Sequence, residues 1–127
     1  MIRNLSNKIR MISRRLKSSR TTCGDFEALI NDQNKRACLF LDPPYWDLKW
    51  YDYDFSHADH RRLARLLKQT DHAWLLTYRD HPAVRQLYEW AHLRIIERDT
   101  LVITSLPIAK ELSQNSVDRL LVDEPLE

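Results

Sequence analysis

A chain of 127 residues, 43% apolar and 30% charged with a net charge of +2, is sized for one domain that buries its own core. No apolar run approaches the roughly 20 residues needed to span a bilayer, which argues against a membrane helix. The two cysteines, Cys23 and Cys38, sit in or beside apparent strands and read as buried free thiols rather than a disulfide or a metal pair, so the chain is expected in a reducing cytoplasm.

The charge is unevenly spread. Residues 1–20 hold seven basic residues and no acid, leaving 13 basic against 18 acidic residues in the remainder. Within this segment Ile2, Leu5, Ile9, Ile12 and Leu16 recur at helical spacing, with basic groups mostly on the other faces. Such a helix suits a phosphate backbone, and Arg10, Arg14, Arg15 and Lys17 are the candidate contacts; a solvated face is the plainer alternative. An Arg- and Ser-rich transit peptide has a similar composition, but nothing further along supports that reading.

Arg20–Cys23 reads as a short strand. Gly24, the chain's single glycine, then introduces Asp25, an N-cap candidate for a short helix through Ile30. Ala37–Leu41 is a continuous apolar run, as expected of a strand buried on both faces. It stops at Asp42-Pro43-Pro44-Tyr45, because proline cannot donate to a ladder and disfavours helical geometry in the residue before it. The Asp42 carboxylate is therefore expected on a stiff loop at the strand's C-terminal end, where open α/β sheets bind ligands.

Ser56 starts the next helix, with Asp59 in capping-box position and Leu63, Leu66 and Leu67 on the apolar face. His72–Tyr78 reads as a strand, and Asp80 and Pro82 open a helix running to about Ala91. Leu93–Glu97, Leu101–Thr104 and Leu120–Val122 are further strand candidates. Strands alternating with helices imply a mainly parallel sheet, with the last strands adding an antiparallel edge.

Three separated blocks, LFLDPPYW, FSHADHRRLARLLK and WLLTYRDHPAVRQLYEW, resemble the catalytic half of the Dam-type (D12 class) N6-adenine DNA methyltransferases. The resemblance runs from about residue 14 to 98 and takes in Gly24-Asp25-Phe26 upstream. It implies an α/β fold: part of a class I, Rossmann-like S-adenosylmethionine-dependent methyltransferase sheet, mainly parallel with an antiparallel C-terminal edge. The basic helix of residues 1–19 would precede it as a remnant of the DNA-recognition region, and 20–127 would form the C-terminal half of the catalytic domain.

By the same resemblance, Asp42, Pro43, Pro44 and Tyr45 form the catalytic segment. The adenine amino nitrogen is a poor nucleophile and lies inside the duplex, so the base is extruded. Asp42 accepts one amino hydrogen and the Pro43 carbonyl the other, freeing the nitrogen lone pair to attack the methyl of S-adenosylmethionine. Tyr45 stacks on the flipped ring. Asp25 and Phe26, with Asp42, are the cofactor-side residues, although an N-cap and a core aromatic would need no such role. Trp46 and Tyr78 are candidate base contacts; Trp46, Trp50, Tyr51 and Tyr53 equally suit covering a core, and Tyr78 with Asp80 equally suits a strand end and helix cap. His57 and His60 lie one helical turn apart but lack partner ligands, so they read as surface or capping groups rather than a metal site.

The family's Gly-rich cofactor loop has no counterpart in a chain with one glycine. The expectation is the C-terminal half of a methyltransferase, from a truncated frame, a prophage remnant or a split enzyme, with an exposed edge strand and apolar sheet face. A homodimer, or a chain supplying the missing half, would cover them. A non-catalytic nucleic-acid-binding module and a methyltransferase of RNA or protein are the alternatives in other functional classes.

Overall fold

A computed structural model of the chain describes residues 2–50 and 53–106. In chain order these form α1 (Ile2–Leu16), α2 (Phe26–Ile30), β1 (Cys38–Leu41), α3 (His57–Gln69), β2 (Ala73–Arg79), α4 (Pro82–Leu87), β3 (His92–Ile96) and β4 (Thr100–Thr104). The expected Leu120–Val122 strand lies outside the described residues, and Arg20–Cys23 pairs with no strand.

Local signals set most boundaries. Asp25 caps α2, its carboxylate accepting from the Glu27 amide, and Ser56 and Asp59 form a reciprocal capping box at α3. At α4 the cap is His81 rather than Asp80: His81 Nδ1 accepts from the Ala83 amide at 3.1 Å, while Asp80 pairs with Arg85. That helix ends at Leu87, short of the expected Ala91, and Tyr88 closes it.

The sheet order is β1-β2-β4-β3. Only β1–β2 is parallel among the described pairings; β2–β4 and β3–β4 are antiparallel. The sheet is mixed: β1, β2 and β3 run in one direction and β4, lying between β2 and β3, opposes them. The short hairpin joining β3 to β4 inserts β4 against β2, so antiparallel pairing reaches inward by one strand more than strand alternation suggested.

Strand alternation then decides which side chains are covered. Trp74, Leu76 and Tyr78 of β2 and Leu101 and Ile103 of β4 point to one face and are buried against Leu63, Leu67 and Val84 of the helices. The Trp74 indole also donates to the Leu67 carbonyl at 3.0 Å, satisfying one of the carbonyls that α3 leaves open at its C-terminus. His72, buried just before β2, accepts from the Ala37 amide at 3.0 Å and donates to the Asp32 carbonyl at 2.9 Å, fixing where β1 begins.

The opposite face is open, and β1 departs from expectation there. Leu39 and Leu41 are half-buried on the covered side, whereas Phe40 is 72% exposed. One edge of β1 carries no partner strand among the described residues. For the same reason Cys38 is exposed, as is Cys23, so neither free thiol is buried as expected. Along α1, every described side chain from Asn4 to Leu16 is exposed, including the apolar positions Leu5, Ile9, Ile12 and Leu16.

Candidate active site

The register of β1 on β2 places the acid. Leu41 pairs with Leu76, so the next position along brings Asp42 beside Thr77 on the open face. There the Thr77 hydroxyl donates to Asp42 Oδ1 at 2.8 Å. Asp42 is exposed at the C-terminal end of β1, as the sequence led one to expect, and Pro43, Pro44 and Tyr45 are half-buried behind it. The loop turns back at once: the Leu48 amide donates to the Tyr45 carbonyl at 3.2 Å, and Asp47 adopts φ 59°, a left-handed conformation that aspartate tolerates better than most residues.

Two clefts meet at this loop. One, of about 370 Å³, is lined by Asp42, Pro43, Pro44, Tyr45, Leu48 and Trp50. The other, of about 530 Å³, uses Asp42, Pro43 and Pro44 as a shared wall and is lined farther out by Asp25, Phe26 and Phe55 among others. The acid thus borders both spaces.

Arg62 of α3 holds the second cleft together. Its guanidinium donates to both Asp25 oxygens at 2.9 and 2.8 Å, to Glu27 at 2.9 Å and to Asp59 at 3.3 Å, and lies 4.3 Å from the centre of the Phe26 ring. These contacts, with the Glu27 amide, keep the Asp25 carboxyl below the usual carboxylate range. Asp59 is held low mainly by the Ser56 hydroxyl and amide. The Phe26 and Phe55 rings sit 5.3 Å apart along the cleft. Asp25 is therefore an N-cap and an ion-pair partner in this structure, and it stands on the wall of the cleft as well.

The aromatic and histidine positions divide differently from expectation. Tyr78 lies inside β2, one residue short of its end, and is fully buried, so its ring offers no open surface for the expected base contact; it supports Tyr45 from 6.3 Å. His60 is not a surface group: it is buried, with Nδ1 2.7 Å from the Tyr78 hydroxyl. Burial pushes the His60 pKa down and the Tyr78 pKa up, which favours the neutral form of each. His57 is exposed as expected, bonded to Asp47 at 2.8 Å. Trp46 stacks on His57 with ring centres 4.2 Å apart and planes 4° from parallel, and packs against the core, so one of its faces is already occupied. Trp50 and Tyr53 are exposed, and Tyr51 is outside the described residues.

Arg10, Arg14 and Arg15 are exposed on α1 with Lys17 just beyond it, and none of them lines either cleft. Among the described residues no group of three or more His, Cys, Asp and Glu side chains is arranged to hold a metal ion. No helix among them is long and apolar enough to cross a membrane. Thr77, Arg62 and Phe55 stand within the blocks that carry the resemblance, but the contacts of these residues come from strand register and helix packing, which local patterns do not show.

An exposed acid followed by two prolines and a tyrosine thus stands at a strand's C-terminal end between two clefts. The chain belongs to the D12 class N6 adenine-specific DNA methyltransferase family, whose sequence model matches residues 3–102. It is similar to the type II methyltransferase M.MjaIII of Methanocaldococcus jannaschii, 32% identical over 75 residues, which cover 54% of this chain and 25% of that protein. The match thus spans about a quarter of the relative's length.

Proposed function

We propose that this chain carries the base-side catalytic segment for methyl transfer from S-adenosylmethionine to N6 of adenine in DNA. The observation that carries the reading is the shared wall: Asp42, Pro43 and Pro44 border both clefts, with Tyr45 on one and Phe26 on the other. A group-transfer site needs its acceptor and donor to meet at one point, and positioning together with local electrostatics then supplies the rate.

In the smaller cleft Tyr45 stacks on the extruded adenine. Asp42 accepts one N6 hydrogen and the Pro43 main-chain carbonyl the other, localising the lone pair on nitrogen. The larger cleft suits an adenosine-bearing ligand, with Phe26 and Phe55 as apolar surfaces and charged groups at its rim. S-adenosylmethionine, when bound there, supplies an electrophilic methyl on its sulfonium sulfur. Methyl transfer would form the N6–carbon bond as the sulfur–carbon bond broke, and Asp42, beside N6, or solvent would take the proton that N6 loses.

The strand order and directions also suit the C-terminal half of a class I methyltransferase sheet, with β1 as the strand that would meet the other half. The β1 edge, which has no partner strand among the described residues, and exposed Phe40 favour a second chain that brings the Gly-rich segment and a strand to pair there. The exposed cations of α1 suit the DNA backbone. The test is incorporation of labelled methyl into adenine of DNA by the chain, alone and with the N-terminal half of a family member. Asp42→Ala should abolish incorporation with the fold unchanged by circular dichroism, and retained methylation would remove Asp42 from the mechanism.

A further inference from the structure

We infer that Thr77 is a positioning residue: its hydroxyl selects which oxygen of Asp42 is presented to the adenine amino group. The inference rests on the proposed role of Asp42 and adds a residue on a different strand.

Pro43 and Pro44 restrict the backbone of the loop, but they do nothing to the side-chain torsions of Asp42, which is exposed. A carboxylate free to rotate offers either oxygen in many directions. Thr77 removes that freedom. A carboxylate only accepts, so in the 2.8 Å contact the hydroxyl is the donor and Oδ1 the acceptor. The Leu41 carbonyl, 3.5 Å from the same hydroxyl, is the weaker competitor for its single proton. With Oδ1 engaged, Oδ2 is the oxygen turned to the base.

The strand pairing makes this contact a fixed feature of the sheet. Parallel β1–β2 pairing runs from Cys38 and Ala73 to Leu41 and Leu76, and Thr77 is the next residue of a strand held on its other side by β4. Thr77 itself pairs with Val102 there, so its backbone is anchored and its β-branched side chain has few rotamers. An anchored hydroxyl steering an exposed carboxylate pre-organises the acceptor before substrate arrives, which is where a small displacement is expensive in rate.

The test uses the full chain and a single-stranded oligonucleotide rich in adenine, compared with the same oligonucleotide carrying 2′-deoxynebularine, which lacks the amino group. Wild type should bind the adenine form more tightly; Thr77→Val should lose that preference and Thr77→Ser should keep it, with melting temperatures recorded for each. In methyl transfer, Thr77→Val should lower kcat by about 10- to 100-fold with an unchanged KM for S-adenosylmethionine, and Thr77→Ser should restore it. A Thr77→Val protein that keeps the full adenine preference overturns the role of Thr77 and leaves that of Asp42 standing. A Thr77→Ser protein as defective as Thr77→Val overturns it equally, since the hydroxyl is retained. If wild type shows no preference and Asp42→Ala binds the same way, Asp42 itself is not the acceptor and both readings fall.

Discussion

Replacing Tyr45 with alanine is the most direct probe of the base side of the site. Tyr45 is half-buried, borders the cleft that Asp42 also borders, and leans on Tyr78 with ring centres 6.3 Å apart. Tyr78 is fully buried and hydrogen-bonded to His60, so the surface behind Tyr45 is fixed. A ring held this way offers a pre-formed stacking platform, and base–aromatic stacking is worth about 1–3 kcal/mol by alanine substitution. At 1.4 kcal/mol per tenfold, Tyr45→Ala should weaken binding of an adenine-centred oligonucleotide by roughly 5- to 150-fold. Fluorescence anisotropy on that oligonucleotide and on one with an abasic site in place of the adenine isolates the effect, because the abasic site offers nothing to stack on. The loss should therefore be confined to the adenine form, and Tyr45→Trp should recover most of it. An equal loss on both would show that Tyr45 acts through the loop's shape, and the stacking argument would fail.

Two other expectations concern stability. His60 is buried with its pKa driven below the ordinary imidazole value of about 6.5, mainly by desolvation, so between the two values the unfolded chain binds the proton and the folded one does not. Its contribution is complete above that range and is lost as pH falls below about 6.5, at no more than about 1.4 kcal/mol per pH unit from this one group. Denaturant titrations of wild type and His60→Asn between pH 7.5 and 5.5 should show a shallower decline in the variant, and parallel lines would contradict the buried neutral state. Phe40, largely in water, should tolerate Phe40→Ser with a change within about 0.5 kcal/mol in the isolated chain. A loss above about 1.5 kcal/mol by urea unfolding would mean that its open face is covered.

How legible the molecule was follows the range of the forces involved. The Ser56–Asp59 capping box and the Asp25 cap are decided within three residues, and both stand as the sequence implied. The two prolines made the loop after β1 equally readable. Burial was less so, because it depends on what comes to lie against an element: CLFL has the composition of a doubly covered strand, yet Phe40 faces water and Cys38 is exposed. Tyr78 and Asp80 were read one step out of place, since β2 runs on to Arg79 and His81 takes the cap. Thr77 and Arg62 stand within the blocks that carry the resemblance, without their contacts being readable there. Their importance comes from lying beside Asp42 and Asp25, 35 and 37 residues away.

Among the described residues one margin of β1 is free, and under the proposed function that margin would tie assembly to chemistry. A strand that zips onto it from another polypeptide would end within reach of the same acid, so whatever loop follows that strand is delivered to the reaction centre by the act of pairing. Under the proposed function, pairing along β1 and completing the reaction centre would then be a single event.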